Sequence, residues 1–441
     1  MKSTILYLAA VVILGCGFAL GQAQYRILWN FAGGTADGDT PLGNLVFDSA
    51  GNLYGTTLSG GNGVNPPCGR GCGTVFKLSP NNDGTWTNTI IYSFCTHHSQ
   101  SGCLDGAFPQ SGLVLDAKGN LYGVTMNGGG QPCPFDSRGC GTLFKLSPPT
   151  APGATWTERV LYNFCSNNVN SRCLDGAAPV GQLAVDLSKN FYGTTSREGN
   201  GRDGGTVFEL SHGPNGWTET VLYNFCTLGQ GIACPDGSQP MAGPTFDRLG
   251  NLYGTTELGG SQGHRGGGLL YKLSPGPKGW TETVLLAAVS PYGKGGAPLG
   301  QVIFDALGRI YSTFSGGGPD GQGGVFQFVP GVGVNLYWFN NDDGGTPTAG
   351  VLLDARTATL YGSTFAGGTA SGGTVFQIVS PRNETVLYNF CTQPTCTDGA
   401  EPSGLIRDKQ GNLYGTAKVG GANNLGVVFE VTPHKNGDRR K

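Results

Sequence analysis

The chain has 441 residues, 79 of them glycine; only 13% are charged and the formal net charge is −2. An ordinary soluble domain is about 25% charged and about 7% glycine, so small polar residues and turns, rather than Lys and Glu, cover this surface. That balance excludes a basic face for nucleic acid and an acidic tail, and helical runs of Ala, Leu, Glu and Lys are absent after residue 20.

Residues 1–23 read as a secretory leader (signal peptide). Lys2 is the positive start, residues 5–14 form the apolar stretch, and Ala19-Leu20-Gly21 or Gly21-Gln22-Ala23 supplies a cleavage site. The apolar run falls short of the ~20 residues that a membrane span needs. Ile13-Leu14-Gly15-Cys16 forms a lipoprotein-like box, so two outcomes stand: soluble export, or a lipid anchor on Cys16. No later segment is apolar enough to span a bilayer, and residues 434–441 are a short polar tail.

Cysteine usage also points to export. Beyond Cys16, twelve cysteines fall into close pairs: Cys68 with Cys72, Cys95 with Cys103, Cys133 with Cys140, Cys165 with Cys173, Cys226 with Cys234, and Cys391 with Cys396. An even count in local pairs is the pattern of a disulfide framework in an oxidising compartment. Zinc needs four ligands, and no pair has a His or a second Cys pair at a fixed offset; no metal or other cofactor is expected. Each small bridged loop adds about 2–3 kcal/mol in the chain-entropy account.

Beyond the leader, residues 25–31 form a short β-type run, and then one segment recurs seven times. It reads Gly-Asn-Leu-Tyr-Gly-Thr-Thr or a close variant, with its tyrosines at Tyr54, Tyr122, Tyr192, Tyr253, Tyr311, Tyr361 and Tyr414. Each copy holds four apolar runs, as in 112–116, 120–125, 141–147 and 156–164, rich in β-branched and aromatic residues and bounded by turn formers. Asp-x-x-Gly-Asn between the first two runs suits a tight hairpin. Four antiparallel strands repeated seven times predict an all-β, seven-bladed β-propeller. The predicted blades are 41–95, 109–165, 179–226, 240–288, 298–340, 347–391, and 402–433 completed by 24–31.

Strand order follows from side-chain size and polarity. Five residues before the first-run Asp stand Gly43, Ser111, Gly181, Ala242, Gly300, Ala349 and Ser403, small enough to crowd around an axis, so the first run is innermost. Polar Thr218-Glu219-Thr220 marks the fourth run as outermost, where polar side chains protect an edge. Residues 25–31 are a fourth-type run with no blade before them, and 426–432 a third-type run with no fourth after it. The N-terminal strand is therefore expected to complete the last blade.

Gly-Asn-Leu-Tyr-Gly-Thr-Thr, Gly-Thr-Val-Phe-Lys-Leu (73–78) and Val-Leu-Tyr-Asn-Phe (221–225) resemble the GloVer (Gloeo/Verruco) tandem repeat. The likeness covers nearly all of 25–433. It implies a bacterial exported repeat protein, often surface-anchored, with no assigned biochemical activity. This chain departs from that pattern in lacking an obvious C-terminal anchor.

The most repeated residues are expected to be structural. The seven tyrosines, with Phe76, Phe144, Phe208, Tyr271, Phe326, Phe376 and Phe429, suit packing between blades better than a sugar-stacking ring. Asp48, Asp116, Asp186, Asp247, Asp305, Asp354 and Asp408 suit turn bonding, since calcium wants carboxylates converging on one point. Asp105, Asp175, Asp236 and Asp398, with Asp37 and Asp343, likewise suit turns.

Candidate binding residues lie at the rim and where the copies differ. Trp86, Trp156, Trp217 and Trp280 open outer strands, either as a row for polysaccharide or as covers for blade edges. Asn44, Gln182 and Gln301 replace Gly on the inner strand, and Arg407 replaces Phe or Leu. His264 and Arg265, and Tyr292 with Lys294, sit in divergent connectors. Of five His residues (His97, His98, His212, His264 and His434) none adjoins a nucleophile motif, and hydrolase, metalloprotease and phosphate-loop signatures are absent. The expectation is a monomeric extracellular binding or structural module for a polysaccharide or a surface protein, not an enzyme. The alternative is a carbohydrate-active propeller using scattered carboxylates such as Glu198, Glu257 and Glu401.

Overall fold

The computed structural model describes residues 23–62, 68–99, 102–200, 204–228, 234–260, 266–287, 296–379 and 383–434. His264, Arg265, Tyr292, Lys294 and Cys16 lie outside the described residues. Seven antiparallel sheets stand in a ring, four strands to a blade, making a seven-bladed β-propeller. In the first blade the inner strand is split into Gly38–Pro41 and Val46–Phe47.

The third blade shows the plan. Ala177–Val185 is innermost, followed outward by Phe191–Arg197, Thr206–Gly213 and Gly216–Asn224. The assignment of the small-residue run to the axis holds. A Cβ on Gly43 would lie 2.3 Å from the Ser111 carbonyl oxygen of the next blade, and one on Gly243 would lie 1.7 Å from that of Gln182. Inner strands approach too closely for side chains at these points.

The ring closes as expected. Gln24–Asn30 pairs with Val427–Thr432, from Gln24 opposite Thr432 to Asn30 opposite Val427. The last sheet runs, outermost to innermost, Gln24–Asn30, Val427–Thr432, Leu413–Val419, Ala400–Arg407.

Repeated residues build the core. Phe76 in the third strand of the first blade lies across Gly55, where an added Cβ would meet its ring at 2.6 Å. This explains the glycine that follows the repeat tyrosine. Phe94, at the end of the outer strand, meets Phe144 of the next blade edge-on at 5.0 Å. The same contact joins Phe164 to Phe208, Phe339 to Phe376, Phe390 to Phe429 and, across the closure, Phe31 to Phe76. These rings are fully buried, and such aromatic pairs add about 0.5–1.5 kcal/mol beyond their area. Buried threonines pair across strands, Thr57 Oγ1 lying 2.8 Å from Thr74 Oγ1.

Inner strands begin at a proline on one face, here called upper, and end at the turn aspartate on the lower face. Gln24 and Thr432, the outer ends of the closing pair, therefore both stand at the lower face.

Candidate functional site

The upper face surrounds the axis with a cavity of about 490 Å³. Its geometry starts in the connectors, where Asp-Gly-x-x-Pro or a relative of it leads into each inner strand. The residue before each proline has a left-handed backbone: Thr40 (φ 61°), Phe108 (58°), Ala178 (53°), Gln239 (55°), Ala297 (31°), Thr346 (52°) and Glu401 (59°). Such a conformation costs a non-glycine residue about 1–2 kcal/mol, and residues before proline ordinarily sit in extended regions. A hydrogen bond to the preceding blade offsets the strain: Phe108 N donates to Cys72 O at 2.8 Å, Ala178 N to Cys140 O at 2.8 Å, and Glu401 N to Gly372 O at 2.9 Å. The backbone is held in common while the side chain takes five types over the seven copies.

Asn44, Gln182 and Gln301 line the cavity, as do Gln110, Ser111 and Thr348. At the inner-strand position of these three amides, the seven copies carry Asn44, Gly112, Gln182, Gly243, Gln301, Gly350 and Gly404 in order. Amide and glycine alternate around most of the ring. A Cβ on Gly112 would sit 3.1 Å from the Asn44 Cβ and 3.3 Å from the Gln182 Cδ. Each amide thus occupies room its neighbouring glycine leaves, and Gln182 Nε2 donates to the Leu113 carbonyl at 3.2 Å.

One side of the mouth is charged. Lys418 Nζ lies 3.0 Å from Glu401 Oε2 and 5.2 Å from the centre of the Phe365 ring. Both partners are about one-third exposed, so the pair is solvated and adds little stability. Glu401 is the one carboxylate among the described residues that line the cavity. Glu257, at the position of Lys418 in the fourth blade, is half-buried, and burial raises its pKa.

The other candidates lie elsewhere. The four tryptophans are half-buried near the lower end of the outer strands. Trp156 packs edge-on against Tyr54 of the preceding blade at 6.2 Å, Trp217 tilts against Phe191 at 5.6 Å, and Trp86 and Trp280 pack against interblade clusters. Arg407 is also at the lower face. Its Nη2 lies 2.9 Å from Asp354 Oδ2 of the sixth blade and its guanidinium stands 5.5 Å from the Tyr361 ring. In the first blade an aromatic fills this place, Phe47 standing against Tyr414 at 5.1 Å.

That exchange follows from the turn. In five copies the Asp closes a box. Asp48 Oδ1 accepts from Asn52 N at 2.9 Å, and Oδ2 accepts from Asn52 Nδ2 at 2.7 Å and from the Tyr54 hydroxyl at 3.1 Å. These bonds hold its carboxyl below the usual range despite burial. The sixth turn, Asp354-Ala-Arg-Thr-Ala-Thr359, has no Asn, and Arg407 of the next blade supplies a donor instead.

Buried carboxylate pairs join the blades. Asp105 Oδ2 accepts from the Tyr92 hydroxyl at 2.7 Å and from Thr96 N at 3.1 Å, while Asp105 Oδ1 and Glu158 Oε1 of the next outer strand are buried without a partner among the described residues. Asp175 with Glu219, and Asp236 with Glu282, repeat the arrangement. Burial, and then the facing Asp, push Glu158 and Glu219 up to about 8 and Glu282 up to about 7. Glu384 beside Asp343 reaches about 8. Burial and the facing Asp thus favour the protonated form of each Glu.

All six cysteine pairs form disulfides as expected: Cys68 with Cys72, Cys95 with Cys103, Cys133 with Cys140, Cys165 with Cys173, Cys226 with Cys234, and Cys391 with Cys396. They are not equally sheltered. Cys234 and Cys396 are half-buried, whereas Cys72 and Cys103 are fully buried. Sequence reasoning missed that neighbouring bridges meet. Cys68, Cys72, Cys95 and Cys103 are buried with their sulfurs within 4.8 Å of one another, and Cys140, Cys165 and Cys173 form a similar group. Sulfur offers a metal its thiolate, which a disulfide withholds. Also unforeseen are two small hairpins next to the bridges, His98–Ser99 with Gly102–Cys103 and Asn168–Val169 with Arg172–Cys173. Among the described residues no helix is long and apolar enough to cross a membrane.

A family model described as the Gloeobacter/Verrucomicrobia repeat matches residues 14–174 and 261–439, well over half the chain. No curated protein matches. Among solved structures the chain resembles PorZ, a bacterial surface component of the type-IX secretion system of Porphyromonas gingivalis, at 13% identity and a TM-score of 0.51. That match covers 91% of this chain but only 47% of PorZ, so the chain spans about half its length. A protein of unknown function from Dyadobacter fermentans matches at 14% identity and a TM-score of 0.44, covering 94% of this chain and 99% of that one. A luciferin-regenerating enzyme matches at 11% and 0.42, covering 93% and 95%. At such identities the likeness is one of fold alone.

Proposed function

The chain belongs to the Gloeobacter/Verrucomicrobia repeat family, and from that premise we propose that it acts outside the cell as a binding module whose upper-face cavity takes a neutral glycan. One observation carries this reading: where the backbone is most uniform, around the mouth, the side chains are most varied. Seven strained connectors hold one geometry, yet the residues after their prolines, which line the cavity, are Leu42, Gln110, Val180, Met241, Leu299, Thr348 and Ser403. Packing alone gives no reason for that variety, whereas an asymmetric ligand does.

The lining chemistry suits sugar hydroxyls. Amides and hydroxyls supply donors and acceptors, Glu401 and Lys418 add one charged pair, and Phe365 and Met241 add apolar faces. The volume falls within the roughly 300–1,000 Å³ of small-molecule sites. Export is in keeping with six disulfides and the leader-like residues 1–23.

Binding without hydrolysis is the favoured form. Glycoside hydrolysis ordinarily needs two carboxyl groups roughly 5–10 Å apart, and the described cavity residues include one, Glu401. The test is retention on immobilised cell-wall and environmental polysaccharides. Wild type is expected to be held by at least one neutral polymer and released by its free sugar, with no shortening of the polymer. Retention by none would overturn the reading; release of reducing ends would favour the enzyme.

A further inference from the structure

The lower face carries an arc of exposed apolar side chains that the cavity does not use. Leu187, Leu249 and Leu307, at the first hairpin turns of the third, fourth and fifth blades, are 100%, 84% and 80% exposed, and Val332 in the fifth blade is 84% exposed. Scattered exposed leucines are ordinary; here the same hairpin turn carries one in three successive blades, Leu187 one residue after its Asp and Leu249 and Leu307 two residues after theirs, and together they make an apolar row. Between the fourth and fifth turns opens a hollow of about 650 Å³, lined by Phe246, Leu249, Phe304 and Leu307 together with Asp247, Arg248 and Asp305.

Charge follows the same arc. Lys118, Lys189, Arg248 and Lys278 are exposed beside it. The turn carboxylates are engaged inward: Asp186 Oδ1 accepts from Asn190 N at 2.8 Å and Asp247 Oδ1 from Asn251 N at 2.9 Å. Leucines flanked by outward cations suit the boundary between acyl chains and anionic headgroups.

The chain's own course gives the direction. Gln24, paired with Thr432, stands at the lower face, and the sequence that precedes it carries the apolar run 5–14 and Leu14-Gly15-Cys16. Any anchor made from that segment leaves the molecule from the outer strand of the last blade, on the same face as the leucine arc. The upper cavity then faces away.

We propose that the lower face lies against a lipid bilayer bearing anionic headgroups, with Leu187, Leu249 and Leu307 entering its surface. The probe is flotation of protein beginning at Gln24, which contains every described strand, with vesicles of phosphatidylethanolamine and phosphatidylglycerol. The wild type is expected to float with the vesicles. The triple variant Leu187→Ser, Leu249→Ser, Leu307→Ser is expected to lose about ten-fold or more in partitioning while keeping its circular dichroism and its retention on any polysaccharide that wild type binds. No flotation of the wild type, or equal flotation of the triple variant, overturns the proposal. So does a wild type that ignores vesicles but sediments as a dimer which the triple variant disperses, because the arc then joins two copies. Polysaccharide retention reads only the upper cavity, so either idea fails without the other.

Discussion

Asn88 donates from Nδ2 to Asp37 Oδ1 at 2.8 Å, joining the outer strand of the first blade to the connector that follows the N-terminal strand. In the next three blades Glu158, Glu219 and Glu282 take the Asn88 position, and Asp105, Asp175 and Asp236 take that of Asp37. The amide is a permanent donor at a position where a carboxyl has a hydrogen to donate only when it is protonated.

Stability should accordingly depend on pH. These glutamates hold their protons in the fold up to about 7 to 8, whereas in the unfolded chain they lose them near the ordinary carboxyl value. Between those limits the folded state binds more protons, so stability falls as pH rises and levels off above about 8. The melting temperature is expected to drop from pH 5 to pH 9. Glu158→Gln, Glu219→Gln and Glu282→Gln together should flatten that slope by copying Asn88. An unchanged slope would show that the proton is not held there.

Arg407→Phe restores the residue type of other copies yet should destabilise. Asp354 is about 5% exposed and keeps only partners from its own turn once Arg407 is lost. Leaving a buried acceptor short costs about 1–3 kcal/mol. Chemical denaturation of the single variant reads this loss.

Tyr271 stands where other copies carry Phe, and its hydroxyl is buried against Gly254 with no partner among the described residues. Tyr271→Phe removes that unpaired group, so the variant should gain about 1 kcal/mol or more. A lower melting temperature would reveal a partner for the hydroxyl.

Removing Gln24–Asn30 strips the outer strand from the last blade and exposes Val427–Thr432 as an edge. The closing contact of Phe31 with Phe76 should loosen with it. Light scattering is expected to show aggregation, and hydrogen exchange should show early opening of Val427–Thr432 relative to the third blade.

The fold was legible because repetition shows the small residue at the axis and the hairpin Asp seven times, and because a fourth strand is missing at one end and spare at the other. Polar contacts between blades were not. Arg407 meets Asp354 from the neighbouring blade, and nothing near either residue in sequence announces it. Glu219 read only as a polar edge residue, since its place facing Asp175 needs the ring to be closed. The connector residues before proline ran against local preference, which favours extended backbone there; hydrogen bonds from the preceding blade overrule it. Of the candidate residues, Asn44, Gln182 and Gln301 stood out because they broke the pattern, and they do reach the axial cavity.

Retention on the best-held polysaccharide, compared between two sets of variants, tests the central claim most directly. One set is Glu401→Gln with Lys418→Met at the cavity mouth; the other is Trp86→Phe with Trp156→Phe on the lower rim. The account predicts at least a ten-fold loss of affinity in the first set and no change in the second, with both folded by circular dichroism. Loss confined to the tryptophan set would contradict it and move the site to the rim.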